Sequence, residues 1–216
     1  MYRTARARTI RQVYRRQEQE GRPRDLEEVV EIGDRKLKRS PPWAYNFPIP
    51  KGIGVQFHDL YFPSPVTLAA FKDDLGIIDR WIRLGLGGAC IKTVMKEPRE
   101  GNPRPRLQEA KVNGCEGLIN AMGLPGKGVE KVIEQLEHAK IFDHQRPIGI
   151  SVGGNSLDEY KFVFNKLNYS MQRKKAPHYF EINVSCPNTP EGQQMTKNPQ
   201  LLETLLRHMR SETQRV

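Results

Sequence analysis

Beyond residue 50 the chain alternates short apolar runs with apolar positions spaced at helical intervals. Val55 to Phe62 reads as a hairpin, Val66 to Ala70 as a buried strand, and Ile77 to Leu84 as a helix stopped by Gly85. Cys90 to Val94 follows as a strand. Val129 to Ile141 reads as an amphipathic helix with Val132, Ile133 and Leu136 inward, and Ile148 to Val152 as the next strand. A helix over Leu157 to Leu167, a strand over Tyr179 to Val184 and a helix over Leu201 to Met209 complete the pattern. Repeated strand-helix units imply an α/β fold with a parallel sheet covered by helices.

Ahead of this region lies a different kind of chain. Tyr2, Ile10, Val13 and Tyr14 share one helical arc, with Arg8, Arg11, Arg15 and Arg16 largely opposite and Arg3 and Arg6 intruding, which predicts a weakly amphipathic basic helix. Ser40-Pro41-Pro42 and Pro48-Ile49-Pro50 mark a linker, since proline lacks the donor that a helix or central strand needs. The expected organisation is therefore a basic N-terminal extension with its linker over 1–51 and a strand-helix domain over 52–216.

Two architectures fit repeated strand-helix units, a doubly wound sheet and a (β/α)8 barrel. No G-x-G-x-x-G follows the first strand, which removes the main support for a nucleotide-binding doubly wound domain. Lys92, Asn120, Ser151 and the stretch Asn183 to Asn188 fall at or just beyond the C-terminal ends of expected strands, the face on which a barrel carries its active site. A whole barrel takes roughly 250 residues. Four core strands suit a partial (β/α)8 TIM barrel of about four units, behind a basic helical extension.

Charge sharpens this reading. Of the 35 Lys and Arg, which outnumber 25 Asp and Glu, 12 lie in residues 1–40 beside 7 acids, so this extension holds +5 of the formal +10. Such a helix could contact an anionic membrane or nucleic acid, direct organellar import, or simply lie as a solvated face on the neighbouring domain. No stretch approaches the roughly 18 uninterrupted apolar residues of a spanning helix. Cys90, Cys115 and Cys186 are odd in number and scattered, which argues against a disulfide scaffold or a clustered zinc site and for a reducing compartment such as the cytoplasm.

The segment richest in chemistry is Glu181-Ile182-Asn183-Val184-Ser185-Cys186-Pro187-Asn188-Thr189-Pro190. A strand ending in a thiol between two asparagines sets one ionisable group among neutral donors and acceptors, an arrangement able to hold a polar ring while a proton leaves. A thiol near pKa 8.5 can serve as a general base if its site lowers that value. Taken alone, such a cysteine is more often a small buried hydrophobe.

N-V-S-C-P-N-T-P over 183–190 resembles the catalytic-loop motif of the dihydroorotate dehydrogenases. Arg99-Glu100-Gly101-Asn102-Pro103-Arg104-Pro105-Arg106 is similar to that family's R-E-G-N-P-x-P-R stretch, and Ile119-Asn120-Ala121-Met122-Gly123-Leu124-Pro125 to its I-N-x-M-G-L-P segment. The three blocks keep the family's order, and the resemblance covers the chain from about Val55 onward. The resemblance implies an FMN-containing (β/α)8 barrel that oxidises dihydroorotate to orotate in pyrimidine biosynthesis, a base removing the C5 proton while hydride leaves C6 for the flavin. Cys186 matches the base; a cysteine there resembles the soluble class 1 enzymes, whereas the membrane-associated class 2 enzymes carry serine.

Lys92 matches the family lysine that contacts flavin and substrate, and a cation can stabilise negative charge on either. Asn120, Asn183 and Asn188 match the asparagines that bind substrate, Asn183 also touching the flavin, and amides supply both donor and acceptor for a ring bearing N–H and C=O groups. The backbone of Met122, Gly123 and Leu124 matches the carboxylate-binding turn. Ala69, Ala70 and Thr93 match positions lining the flavin, and Ser151 stands where a polar flavin contact is common.

The sequence departs from the family in places. Phe71 replaces a glycine after the Ala-Ala pair, Gly126 an asparagine after L-P, and Lys111 to Gly117 is long. Family barrels continue with four more strands, which carry a further flavin-contacting lysine and the phosphate-binding loops. The resemblance thus implies a chain that needs a C-terminal half-barrel chain or a homo-oligomer as partner, whether as a truncated product or as one subunit of a split enzyme. Rival readings are a flavin enzyme for another dihydropyrimidine, and an inactive half-barrel whose extension docks a partner or nucleic acid. Of macromolecular ligands, a peripheral membrane contact is preferred to nucleic acid.

Overall fold

The extension folds as two helices, α1 (Tyr2–Gln19) and α2 (Leu26–Arg39), in a computed structural model that describes residues 2–186 and 194–213. The chain divides into two compact units: residues 1–40 with 101–123, and residues 41–100 with 124–216.

In the smaller unit Asp25 caps α2, its carboxylate accepting from the Glu27 amide at 3.0 Å. Glu27 and Glu28 fill the first turn and Lys36, Lys38 and Arg39 the last, opposite in sign to the helix dipole at each end. Val13, Leu26 and Val29 form a small core with Ile10, Tyr14, Ile32 and Leu107. Gln17, wholly buried, spans the helix pair: its amide nitrogen donates to the Asp25 carbonyl (3.2 Å) and Glu28 (2.7 Å), and its oxygen accepts from the Asp25 amide (3.0 Å). The unit is completed by an antiparallel hairpin, β5 (Leu107–Val112) and β6 (Cys115–Asn120). Its two-residue turn is Asn113-Gly114, both at positive φ (49° and 83°), the conformation that Asn-Gly adopts at least cost. The long Lys111 to Gly117 stretch is this turn with the paired strand ends beside it.

The larger unit opens with a second hairpin, β1 (Val55–Phe57) and β2 (Leu60–Phe62). It then builds one parallel sheet in the order β3 (Thr67–Lys72), β4 (Gly88–Val94), β7 (Ile148–Val152) and β8 (His178–Ile182). Each strand is followed by a helix: α3 (Leu75–Arg83), α4 (Val129–Glu137), α5 (Leu157–Gln172) and, after β8, α6 (Gln194–Lys197) with α7 (Pro199–Thr213). Four consecutive parallel strand-helix units are half of the eight that close a barrel. Asp74 and Ser156 cap α3 and α5 through side-chain oxygens, and Gly85 at φ 111° ends α3 as expected.

The core lies between sheet and helices. Ile91, Ile148, Ile150 and Val152 meet Ile78, Ile82, Leu136, Val163, Phe164, Leu167 and Leu205 there. Helix α4 ends four residues short of Ile141, because a 3-10 turn over Lys140–His144 takes up the apolar period and buries Ile141 and Phe142 instead. Helix α5 runs past Leu167, carrying Met171 into the same core. Among the described residues no helix is long and apolar enough to cross a membrane.

Candidate active site

Three of the expected residues meet in a hydrogen-bonded row at the C-terminal ends of β4, β7 and β8. Thr93 and Ser151 share a hydrogen bond at 3.0 Å between hydroxyls, and the Asn183 side-chain amide donates to Thr93 Oγ1 at 2.9 Å. Thr93 and Ser151 are buried, Ser151 wholly so. The backbone holds the same line, Gly153 N donating to Val94 O (3.0 Å) and Asn183 N to Val152 O (2.9 Å). Parallel pairing brings strand ends into one row, so polar residues 58 and 90 positions apart in sequence become neighbours.

Lys92 sits inside β4, half-buried between the buried Ile91 and Thr93. Ala69 and Ala70 lie on β3, exposed and half-buried. Phe71, where the family has glycine, sets its ring 5.6 Å from Trp81 of α3. Cys186 is buried, 8% exposed, four residues beyond the end of β8. Tyr160 of α5, which the sequence reading did not single out, donates its hydroxyl to the Asn183 carbonyl at 2.5 Å. Burial raises its pKa, and the Cys186 charge adds to that rise. Its signal in the sequence was the pair Gly153-Gly154: a Cβ on Gly154 would stand 2.7 Å from Tyr160 N, and one on Gly153 2.7 Å from both Met95 Sδ and Thr93 Cγ2.

Asn120, Met122 and Gly123 belong to the smaller unit. Asn120 ends β6 and is exposed. Met122 O accepts from Asn102 N at 3.0 Å, Asn102 Nδ2 donates to Ala121 O at 2.8 Å, and Gly123 takes φ 70° with Asn102 where a Cβ would go. The R-E-G-N-P-x-P-R and I-N-x-M-G-L-P blocks therefore fold on each other here. Arg106 grips Glu27 of α2 with two bonds (2.8 and 2.9 Å), and Arg104 bonds Asp25 (2.6 Å) and Glu31 (2.8 Å). Three acids of α2 and its cap are thus taken up by these two arginines. In the larger unit, Arg99 and Gly126 exchange two backbone bonds of 2.9 Å where the chain leaves for and returns from residues 101–123. Leu124, the last residue of the expected carboxylate turn, lies there at φ 54°. Asn188 lies outside the described residues.

The other buried thiol differs in kind. Burial pushes Cys90 up to about 12, with the Glu181 carboxylate adding to the rise, so it stays protonated and is no candidate base. The apolar cleft of ≈ 570 Å³ in this unit, lined by Phe57, Phe62 and Tyr179 among others, contains none of the expected site residues.

A family model described as dihydroorotate dehydrogenase matches residues 53–216. The chain belongs to the dihydroorotate dehydrogenase family. Within it, a protein of Nitrosomonas eutropha named dihydroorotate dehydrogenase (quinone) is 36% identical over 167 residues, 73% of this chain and 45% of the relative. One of the same name from Bradyrhizobium diazoefficiens is 32% identical over 193 residues, 89% of this chain and 51% of the relative. The chain spans about half the length of the curated relatives it matches. The crystal structure of the Eimeria tenella dihydroorotate dehydrogenase with ferulenol superposes with a TM-score of 0.65 at 20% identity, covering 86% of this chain and 51% of that one. The fold is thus the partial α/β barrel expected, with helices at the N-terminus.

Proposed function

We propose that this chain forms the N-terminal half, over 52–216, of an enzyme that oxidises dihydroorotate to orotate with FMN, and that Cys186 is its general base. Family membership carries the reading, supported by a buried thiol three residues beyond Asn183, which joins the Thr93–Ser151 pair through its side chain. The residues present fit the ring portion of a flavin. Ala69 and Ala70 leave β3 without bulk, Lys92 supplies a cation in the neighbouring strand, and Thr93, Ser151 and Asn183 offer hydroxyl and amide groups to a heterocycle. Bound FMN would supply the hydride acceptor.

The chain's own groups divide the remaining work. Asn183, fixed by Thr93 on its side chain and by Val152 and Tyr160 on its backbone, orients the substrate ring with Asn120 and Asn188. The Met122, Gly123 and Leu124 backbone receives the substrate carboxylate, Lys92 offsets negative charge, and the Cys186 thiolate takes the C5 proton. The relatives' names point to a quinone as final electron acceptor, although a cysteine base resembles class 1. The other half of the barrel completes the enzyme, which acts in the cytoplasm or at a membrane surface. Cys186→Ala in the flavin-loaded, completed enzyme should slow flavin reduction by dihydroorotate by about 10² to 10⁴ with flavin still bound. Reduction at the parental rate in stopped-flow absorbance would refute the assignment.

A further inference from the structure

Helix α5 places one phenol between two loops that leave adjacent strands. Tyr160 is 5% exposed. Its hydroxyl donates to the carbonyl of Asn183, just after β8, at 2.5 Å, and the Gly154 backbone amide, just after β7, donates to the same oxygen. Both hydrogen-bonding capacities of the phenol are thus used, one on each loop. The fit depends on glycine at 154, where a Cβ would stand 2.7 Å from Tyr160 N and 2.9 Å from Tyr160 Cδ2. Asn183 is held from three sides: its carbonyl by Tyr160, its amide N–H by Val152, its side chain by Thr93. Cys186 follows three residues later and is close enough for its charge to act on the phenol.

We infer that Tyr160 is a positioning residue that staples the loop carrying Asn183 and Cys186 to the β7 loop, fixing where the Cys186 thiol stands. This rests on the reading of Cys186 as the base, but the staple itself is a property of the loop. The phenol is held neutral, so it acts as a donor throughout the working pH range. Helix α5 packs in the core through Val163, Phe164 and Leu167, which makes it a rigid support for a loop that has left the sheet ladder.

The test is alkylation of the full chain by iodoacetamide at pH 8, read by peptide mass spectrometry, in the parent and in Tyr160→Phe. Phenylalanine keeps the ring in place and removes only the hydroxyl. Leaving the Asn183 carbonyl and Gly154 amide unpaired should loosen the loop and speed Cys186 labelling about tenfold, while Cys90, in the sheet, keeps its parental protection. An unchanged Cys186 rate overturns the staple, and a parallel rise at Cys90 overturns it as a local device. In the flavin-loaded, completed enzyme, Tyr160→Phe should lower the flavin reduction rate at saturating dihydroorotate and leave orotate affinity within about twofold; loss of affinity with an unchanged rate overturns the positioning role. If Cys186→Ala reduces flavin at the parental rate while Tyr160→Phe still unmasks Cys186, the base assignment fails and the staple stands.

Discussion

Thr93→Val isolates the polar row at the strand ends with almost no change of shape. Thr93 is 5% exposed, and its hydroxyl is the only atom in the row that bonds to both other side chains, Ser151 at 3.0 Å and Asn183 at 2.9 Å. Valine leaves the Ser151 hydroxyl, wholly buried, without that partner, and frees an Asn183 amide hydrogen in a half-buried place. An abandoned buried group costs about 1–3 kcal/mol, offset in part by the easier burial of a methyl group. A net loss of about 2 kcal/mol follows. At about 2–4 °C per kcal/mol for a chain of this size, the melting temperature should fall by about 4–8 °C. Urea unfolding followed by circular dichroism gives the free energy directly, and Ser151→Ala completes a double-mutant cycle. With the Thr93 hydroxyl already gone, Ser151→Ala removes the orphan and should cost about 1 kcal/mol less than in the parent. Additive effects to within about 0.3 kcal/mol would mean the two hydroxyls do not depend on each other, and the row would lose its claim to shape the site.

Two other predictions concern parts away from this row. Arg106→Gln removes a two-bond, largely buried grip on Glu27, so limited proteolysis should cut in 1–40 or 101–123 about tenfold faster, from a loss of about 1.5–3 kcal/mol; an unchanged cleavage pattern would sink that account. Cys90 is an acid whose pKa is raised on folding, from 9.0 to about 12, so the folded chain holds its proton longer than the unfolded one. Its contribution is present below about pH 9 and is lost as the pH climbs toward 12. Denaturation midpoints taken from pH 8 to 10.5 should fall less steeply in Cys90→Ala, and parallel slopes would refute the assignment.

The strand-helix order was legible in the sequence because burial on both faces of a parallel strand leaves apolar runs, as in Ala89–Ile91, and Gly85 could only end its helix. The three family-like blocks were legible because each is local. Their partnership was not: that Arg104 and Arg106 of one block would take the carboxylates of Asp25, Glu27 and Glu31 depends on a contact across more than 70 residues, and nothing in the spacing of charges announces it. The hairpin over Leu107–Asn120 is signalled only by Asn113-Gly114, because β6 is exposed throughout and β5 is half-buried at Leu107 and Ala110 alone, so no apolar alternation marks its strands. Ser151, Thr93 and Asn183 could be placed at strand ends one by one, but strand order and register alone decided that they touch. The same holds for Tyr160, which reads as one more core aromatic of a helix until the fold brings the Asn183 carbonyl to its hydroxyl. Periodicity reports which face of an element is buried, whereas hydrogen bonds between elements depend on positions to within a few tenths of an ångström, which only the packed chain defines.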